Sequence, residues 1–289
     1  MASTQLLKSR IRSVRSTRQI TKAMQLVAAS KMRRAQESTK ASAPYTEAAR
    51  ELLTALSTRT SVKNHPLFTK RTVKNRLMIV IASDKGLAGA YNSNIAKLYV
   101  NELQADDAAR IKNKTITVGR KASQLAVRLK DTEIIAAYQE LPDRPDGNEL
   151  RAILDAAKTR FEAGEVDAVD VIYTNFISSM TQEATILRVL PAGFEDNPDQ
   201  PNTSDITYEP GTAEVLDGVA YRLIGAELFQ ALLDARASEH SMRMIAMKNA
   251  SDNASDLIDD LTLEMNKARQ GAITQELAEI SGGVEALHE

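Results

Sequence analysis

The sequence predicts an α/β protein in which long N- and C-terminal helices form an antiparallel coiled coil and the residues between them form a Rossmann-like domain with a mostly parallel sheet. Residues 226–270 contain no Gly or Pro, and neither do residues 1–43. Between residues 75 and 195, short apolar runs of strand length alternate with helix-like stretches. We therefore divide the chain at 1–60, 75–195 and 212–289.

The C-terminal helix is predicted from a repeat of apolar and small residues in steps of four and three from Leu233 to Ala272. This is the a/d spacing of a coiled coil over about five heptads, so the helix needs a partner helix. His240 and Ser251 interrupt the repeat. Glycines bound its Gly-free part, and bends are expected where glycine weakens the helix.

The N-terminal helix is the natural partner because the two ends carry opposite charge. Residues 1–40 contain ten bases and one acid, whereas residues 238–289 contain ten acids and four bases. A weak apolar stripe begins with Leu7 and Ile11. The helical spacing continues beyond Pro44, so this proline need not end the helix.

The middle of the chain changes from helical to strand periodicity. Residues 77–82 form a continuous apolar run, which is typical of a buried parallel strand. Further strands are predicted at 115–118, 133–138 and 169–174, an edge strand at 183–190, and helices at 91–103, 119–129 and 149–161. This alternation predicts a Rossmann-like domain. Residues 191–212, with four prolines, are predicted to be a linker.

Composition excludes several classes of protein. The chain has no Cys, which excludes disulfides and thiolate chemistry. It has no apolar run of 18 residues, and its first 25 residues lack the apolar core of a secretory signal. The basic, acid-poor N-terminus resembles a mitochondrial transit peptide, but the helical pattern continues well beyond a normal cleavage point.

The most tempting chemical motif is Ser83–Asn92, where a strand enters a Gly-containing turn and then a helix. Phosphate-binding loops occur at such places, but the spacing matches neither GxxxxGK[ST] nor GxGxxG. We interpret Gly86 and Gly89 as serving tight backbone geometry. A nucleotide-binding enzyme that uses this loop remains an alternative.

No group of residues predicts catalysis, a metal or a cofactor. His240, Met244 and Met247 form a stripe of soft ligands, but their a/d positions favour a core role over copper binding. The other candidates are isolated or lie on different helical faces: His65, His288, Asp259 and Asp260. We predict that the chain is not an enzyme.

Five segments resemble one known family, the gamma subunits of ATP synthase: Arg18–Met24, Ala28–Met32, Asp84–Asn92, Ser238–Ala254 and Asn266–Ile280. The resemblance is weak from 100 to 210. In that family the segment like Asp84–Asn92 is not a nucleotide site.

The resemblance implies the central shaft of a proton-driven ATP synthase. The coiled coil would lie inside a ring of three alpha and three beta subunits, which bind the ATP. The α/β domain would lie near the epsilon subunit and the membrane rotor ring. The complex would be peripheral on the cytoplasmic face of a bacterial inner membrane, or alternatively on the matrix side of a mitochondrial one. We expect few deep or apolar shaft contacts, because the shaft must slide.

We predict nine partner contacts: Met24, Lys31, Arg33, Arg34, Arg243, Arg269, Gln270, Thr274 and Glu276. The resemblance implies that the last four touch the catalytic ring, whereas the basic helix around Lys31, Arg33 and Arg34 would face carboxylates of an acidic partner. Read from composition alone, the basic run at 1–40 instead suggests a coiled-coil scaffold or a nucleic-acid-binding adaptor. That run lacks interleaved aromatic residues, so we predict no nucleic-acid partner.

Overall fold

The computed structural model describes residues 4–57, 65–129, 132–142, 147–193 and 212–286. In chain order the elements are α1 (Thr4–Ser57), a 3-10 turn (Pro66–Phe68), β1 (Asn75–Ile81), α2 (Tyr91–Ala108), β2 (Lys112–Val118), α3 (Arg120–Ala126), β3 (Glu133–Tyr138), α4 (Gly147–Glu162), β4 (Ala168–Phe176), β5 (Gln182–Leu190) and α5 (Thr212–Ala286). Most of the predicted linker, residues 194–211, and His288 lie outside this description.

The five strands form one sheet in the order β3-β2-β1-β4-β5. The first four are parallel, and β5 pairs antiparallel with β4 at the edge. This confirms the mostly parallel sheet and its edge strand. Ile79 in the centre of β1 pairs with Ile116 on one side and Val171 on the other.

Both faces of the sheet are covered, because the pleat sends alternate residues of β1 to opposite sides. Leu77 and Ile79 pack in one core with residues of α1, α4 and α5. Met78 and Val80 pack in a second core with α2 and α3. Burial on both faces explains why the β1 sequence is continuously apolar rather than alternating.

A buried ion network fixes α2 to the start of the sheet. Arg76 of β1 lies 2.8 Å from Glu102 and 3.1 Å from Asp106, both on α2. It also pairs with Asp170 of β4, which is paired in turn with Arg188 of β5. Each buried charge therefore has opposite charges around it, as burial requires.

The contacts divide the chain into two compact units, residues 29–243 and residues 1–28 with 244–289. In the smaller unit, Leu7 and Ile11 of α1 pack against Ile258 and Leu261 of α5. Arg18, further along α1, donates to the hydroxyl of Ser255, which lies earlier on α5, at 3.3 Å. Residue numbers therefore increase in opposite directions along the two helices, and the pair is antiparallel.

The same antiparallel order holds within the larger unit. Arg50 of α1 lies 3.3 Å from Glu227 of α5, and the Gln230 side chain lies 3.5 Å from the Thr39 carbonyl. The predicted pairing of the two long helices is confirmed.

Two details of the long helices bear on the sequence predictions. Pro44 lies inside α1, as its spacing allowed. α5 also runs through Gly225 and Gly271, the two glycines that bound the Gly-free stretch of the predicted helix. Glycine costs about 1 kcal/mol in a helix interior, which a long packed helix tolerates. No helix in the described part of the chain combines the length and apolar character needed to cross a membrane.

Candidate partner-binding surfaces

The carboxyl edge of the sheet, between β1 and β4, is where the strand order reverses and where ligands enter open α/β folds. In this chain α5 packs there. The Ser238 hydroxyl donates to the Thr174 carbonyl at 3.2 Å, and the Ser241 hydroxyl donates to the Ser179 carbonyl at 2.6 Å. Both serines are completely buried. Small side chains thus let the helix approach the strand ends closely.

The loop after β1 is held by its own polar groups. The Ser83 amide and hydroxyl both lie within hydrogen-bond distance of the Asn92 side-chain oxygen, at 3.2 and 2.9 Å. The Asp84 carboxylate accepts backbone N–H groups of Arg120 and Glu140 at 3.0 and 3.1 Å. These contacts support the structural interpretation of the motif over a phosphate site.

The interpretation that Gly86 and Gly89 serve tight backbone geometry is right for Gly89 and wrong for Gly86. Gly89 has φ +57°, a conformation that glycine adopts without strain. Gly86 has no positive φ, and a Cβ added there would meet no atom within 4 Å. The second left-handed residue is Leu87, with φ +61° and an exposed side chain.

Arg243, a predicted partner contact, is largely engaged inside the chain. Its guanidinium lies 2.8 Å from the Glu239 carboxylate and donates to the carbonyls of Lys85 and Gly86 at 3.1 and 3.3 Å. Arg236 lies 3.3 Å from the other Glu239 oxygen. Arg243 therefore ties α5 to the loop after β1 and holds that loop in position.

The other predicted contacts in α1 lie closer to solvent. Arg33 is exposed and pairs with Glu37 at 3.3 Å, one helical turn away. Arg34 is also exposed and donates to the Ser30 hydroxyl at 3.2 Å. Met24 and Lys31 are half-buried. Lys31 and Arg34 line one cavity, and Lys31 and Arg243 line another, whereas Met24 and Arg33 line neither. The role of these residues as partner contacts stays a prediction.

The predicted contacts near the end of α5 are all exposed: Arg269, Gln270, Thr274 and Glu276. The Thr274 hydroxyl donates back to the Gln270 carbonyl at 2.9 Å. Every residue from 269 to 281 is exposed, so within the described chain nothing covers this part of the helix.

Sequence reasoning missed an apolar stripe on this same segment. Ile273, Leu277 and Ile280 are 48, 62 and 64% exposed. Their spacing of four and three puts them on one face of the helix. The spacing of these three residues is readable from the sequence, whereas their exposure is not. Large apolar side chains at this density on an exposed helix indicate a partner surface.

The remaining candidates have structural roles where they are described. His240 and Met247 are buried, as the core interpretation predicted. The His65 ring accepts the Leu67 N–H at 3.3 Å and caps the 3-10 turn, and burial lowers the pKa of His65. The two aspartates at 259 and 260 are exposed, as expected of a solvated face.

Comparisons with known proteins agree with this architecture. The sequence profile of the family described as ATP synthase matches residues 3–287. The ATP synthase gamma chain of Macrococcus caseolyticus is 40% identical over 287 residues, which is 99% of this chain and 100% of that one.

Solved structures extend the likeness to three dimensions. A chain of the Tetrahymena thermophila mitochondrial ATP synthase, from a structure of its central stalk and c-ring, is 27% identical with a TM-score of 0.59. The match covers 80% of this chain and 99% of that one. A chain of the Euglena gracilis mitochondrial ATP synthase shares the fold, with a TM-score of 0.74 at 19% identity over 99% of this chain and 94% of that one.

The fold, an antiparallel pair of long helices with a five-stranded α/β domain, is therefore that of chains found in rotary ATP synthase complexes. With a full-length family match and a relative of 40% identity, the chain belongs to the ATP synthase gamma chain family.

Proposed function

We propose that this chain is the rotating central shaft of a proton-driven ATP synthase and carries no catalytic site of its own. The observation that carries the proposal is the full-length match to gamma chains, combined with the paired helices that this role needs. Contacts of α5 with the end of β4 and with the loop after β1 also place this helix across the edge of the sheet where α/β folds usually bind ligands.

The mechanism follows from asymmetry. A single shaft presents different side chains in different directions, whereas the three catalytic subunits around it are identical. Each catalytic subunit is shifted between open and closed forms by the difference in its interaction energy with the face it meets. Rotation of the shaft then takes each catalytic site through binding, synthesis and release in turn.

The exposed end of α5 is the part of the chain best suited to contact the catalytic ring. It offers an apolar stripe at Ile273, Leu277 and Ile280 beside the polar pair Arg269 and Gln270. The sequence analysis expected few apolar contacts along the shaft, and this surface is more apolar than that. An apolar stripe has no directional hydrogen bonds to break, so it suits a contact that must slide.

The larger unit supplies the surface for the rest of the rotor. We assign the epsilon subunit and the membrane rotor ring as partners of the α/β domain. The complex is membrane-associated, and the bacterial relatives favour the cytoplasmic face of a bacterial inner membrane.

The composition of the native complex tests this function. Affinity-tagged chain is recovered at low salt from native membranes, and the intact complex is weighed by native mass spectrometry. We expect one copy of this chain with three copies each of two larger subunits, in a complex that hydrolyses ATP. The tag alone, expressed in the same cells, is the control. Recovery of the chain by itself, or with nucleic acid, would contradict the proposal and favour the adaptor alternative.

A further inference from the structure

A groove of about 400 Å³ lies between α4 and α5 within the larger unit. Its size falls in the range of small-molecule sites, roughly 300–1,000 Å³. Three leucines form its apolar floor, since Leu150 and Leu154 of α4 and Leu228 of α5 all belong to the buried core of the unit. Tyr221 and Phe229 of α5 are half-buried and also line it. The groove is therefore a largely apolar surface built by two helices.

The groove is open because residue 225, in the middle of its α5 wall, is a glycine. Arg222 and Phe229 lie one turn before and one turn after Gly225, so all three share one face of the helix. Among the described residues outside its own stretch of helix, a Cβ added at Gly225 would meet only the Leu154 Cδ2, at 3.4 Å, an ordinary contact with a flexible side chain. Alanine would therefore fit at this position and would strengthen the helix, since glycine is the weaker helix former. Functional sites are where a sequence is expected to depart from local stability without a packing reason.

Positive charge borders this apolar surface. Arg151 of α4 and Arg222 of α5 both line the groove and are exposed. Neither forms an ion pair with a described residue, and no Asp or Glu is among the described residues that line the groove. Asp155, one turn along α4 from Arg151, already accepts from the Tyr221 hydroxyl at 2.7 Å. The groove therefore combines an apolar floor with two arginines that have no described carboxylate within ion-pair distance.

From these observations we propose that the groove binds a small organic anion with an apolar body and a single carboxylate, the chemistry of a medium-chain fatty acid. The carboxylate accepts from Arg222, whose guanidinium matches it in geometry, and Arg151 adds attraction. The apolar body packs on the leucine floor at Gly225, beside Tyr221 and Phe229. Such a ligand touches α4 and α5 together, so it strengthens the packing of these two helices. The site shares no residue with the proposed contacts to the catalytic ring and does not depend on the rotor function.

The test titrates decanoate into the folded full-length chain and follows the heat of binding by isothermal titration calorimetry. We expect saturable binding at one site per chain. The uncharged analogue 1-decanol should bind at least tenfold more weakly, because it carries no charge for the two arginines to attract.

Substitutions at the two ends of the ligand locate the site. Gly225→Leu fills the groove from α5 and should weaken binding of decanoate at least tenfold. Gly218→Leu, at a glycine of the same helix with open space around it, is the matched control and should leave binding unchanged. Both glycine variants should melt no lower than the wild type, because leucine is the better helix former, so unfolding would not account for lost binding.

The arginine is tested in the same way. Arg222→Gln should weaken binding of decanoate at least fivefold, whereas Arg12→Gln, at an exposed arginine of the smaller unit, is the matched control for net charge. Because Arg222 is exposed, its variant keeps the test decisive even where Gly225→Leu does not fold.

Three outcomes overturn the proposal. Equal binding of decanoate and decanol would mean that any apolar surface suffices. Equal effects of the Arg222 and Arg12 variants would mean that only net charge matters. Unchanged binding by a folded Gly225→Leu variant would place the ligand elsewhere on the chain.

Discussion

Asp234 gives the sharpest test of how α5 is packed in the larger unit. It is 7% exposed, and the Gln230 amide donates to its carboxylate at 3.1 Å. The charge of Arg50, on α1, attracts the Asp234 carboxylate, and the Asp234 charge in turn raises the pKa of Tyr173, on β4. Glu227 lies two turns earlier on α5. Burial dominates over the attraction of Arg50 and raises the pKa of Asp234 to about 6. Asp234→Asn removes the charge with little change in shape.

The pKa shift fixes both the sign and the size of the effect. The folded-state value of about 6 lies above the ordinary value of 3.8, so the folded chain holds this proton more tightly than the unfolded chain. The contribution to stability is therefore most favourable below about pH 4, declines as the pH rises through about 6, and is level above that. At about 1.4 kcal/mol per unit, the ionised carboxylate costs about 3 kcal/mol at pH 8.

The assay is urea unfolding of the full-length chain, followed by far-UV circular dichroism between pH 4 and pH 8. Asp234→Asn should raise the free energy of unfolding by about 2–3 kcal/mol at pH 8, with the gain shrinking towards zero at pH 4. Asp260→Asn, an exposed position on the same helix, is the control and should show no such pH dependence. A variant that is no more stable than the wild type at pH 8 would refute the reasoning.

Two further substitutions test the packing by thermal unfolding, each with a matched control. Leu261→Ala should lower the free energy of unfolding by about 1–2 kcal/mol, less than the roughly 2–5 kcal/mol of a full core, because Leu261 is buried in a thin two-helix seam. Leu263→Ala, at a position 56% exposed, should change little. Equal effects of the two variants would contradict the burial of Leu261 in the seam. Gly119→Ala should lower the free energy of unfolding by more than about 3 kcal/mol, since φ is +94° and the added Cβ would lie 2.1 Å from the Ala82 carbonyl oxygen. Gly86→Ala, where the added Cβ meets open space, should be nearly neutral. An unchanged melting temperature for the Gly119 variant would show that the close approach to Ala82 is wrong.

Local sequence patterns were sufficient to predict the strands of the sheet. β3 has the bounds that its apolar run indicated, and β1 was recognisable because a strand buried on both faces is continuously apolar. The edge position of β5 was readable from its alternation. These features depend on a few neighbouring residues, which is the range over which periodicity is informative.

The role of the central part of α5 was not readable in this way. The sequence suggested that His240 and Ser251 interrupt a coiled-coil seam, but residues 231–241 are buried on every side. Their small side chains meet the ends of β4 and the following turn as well as α1, through contacts such as Ser238 with Thr174, 64 residues away. A heptad pattern describes one partner helix and does not reveal a second surface.

The partner contacts were the least accessible part of the prediction. The resemblance pointed to polar residues near Arg269, whereas the exposed stripe at Ile273, Leu277 and Ile280 follows from combining helical spacing with burial. The bonds of Arg243 to Glu239 and to the loop after β1 give it a structural role that its residue type did not reveal, and its role as a partner contact stays a prediction. Exposure is a property of the folded chain, so it cannot be assigned from residue type alone.

Direct observation of rotation tests the central claim. The chain has no Cys, so Asp107→Cys on the exposed side of α2 gives a single attachment point for a bead on the α/β domain. The assembled catalytic complex is fixed to glass through its larger subunits and supplied with ATP. We predict that the bead turns in one direction with three equal pauses per revolution, one for each catalytic subunit. A bead that stays still or only fluctuates while the same complexes hydrolyse ATP would contradict the shaft function.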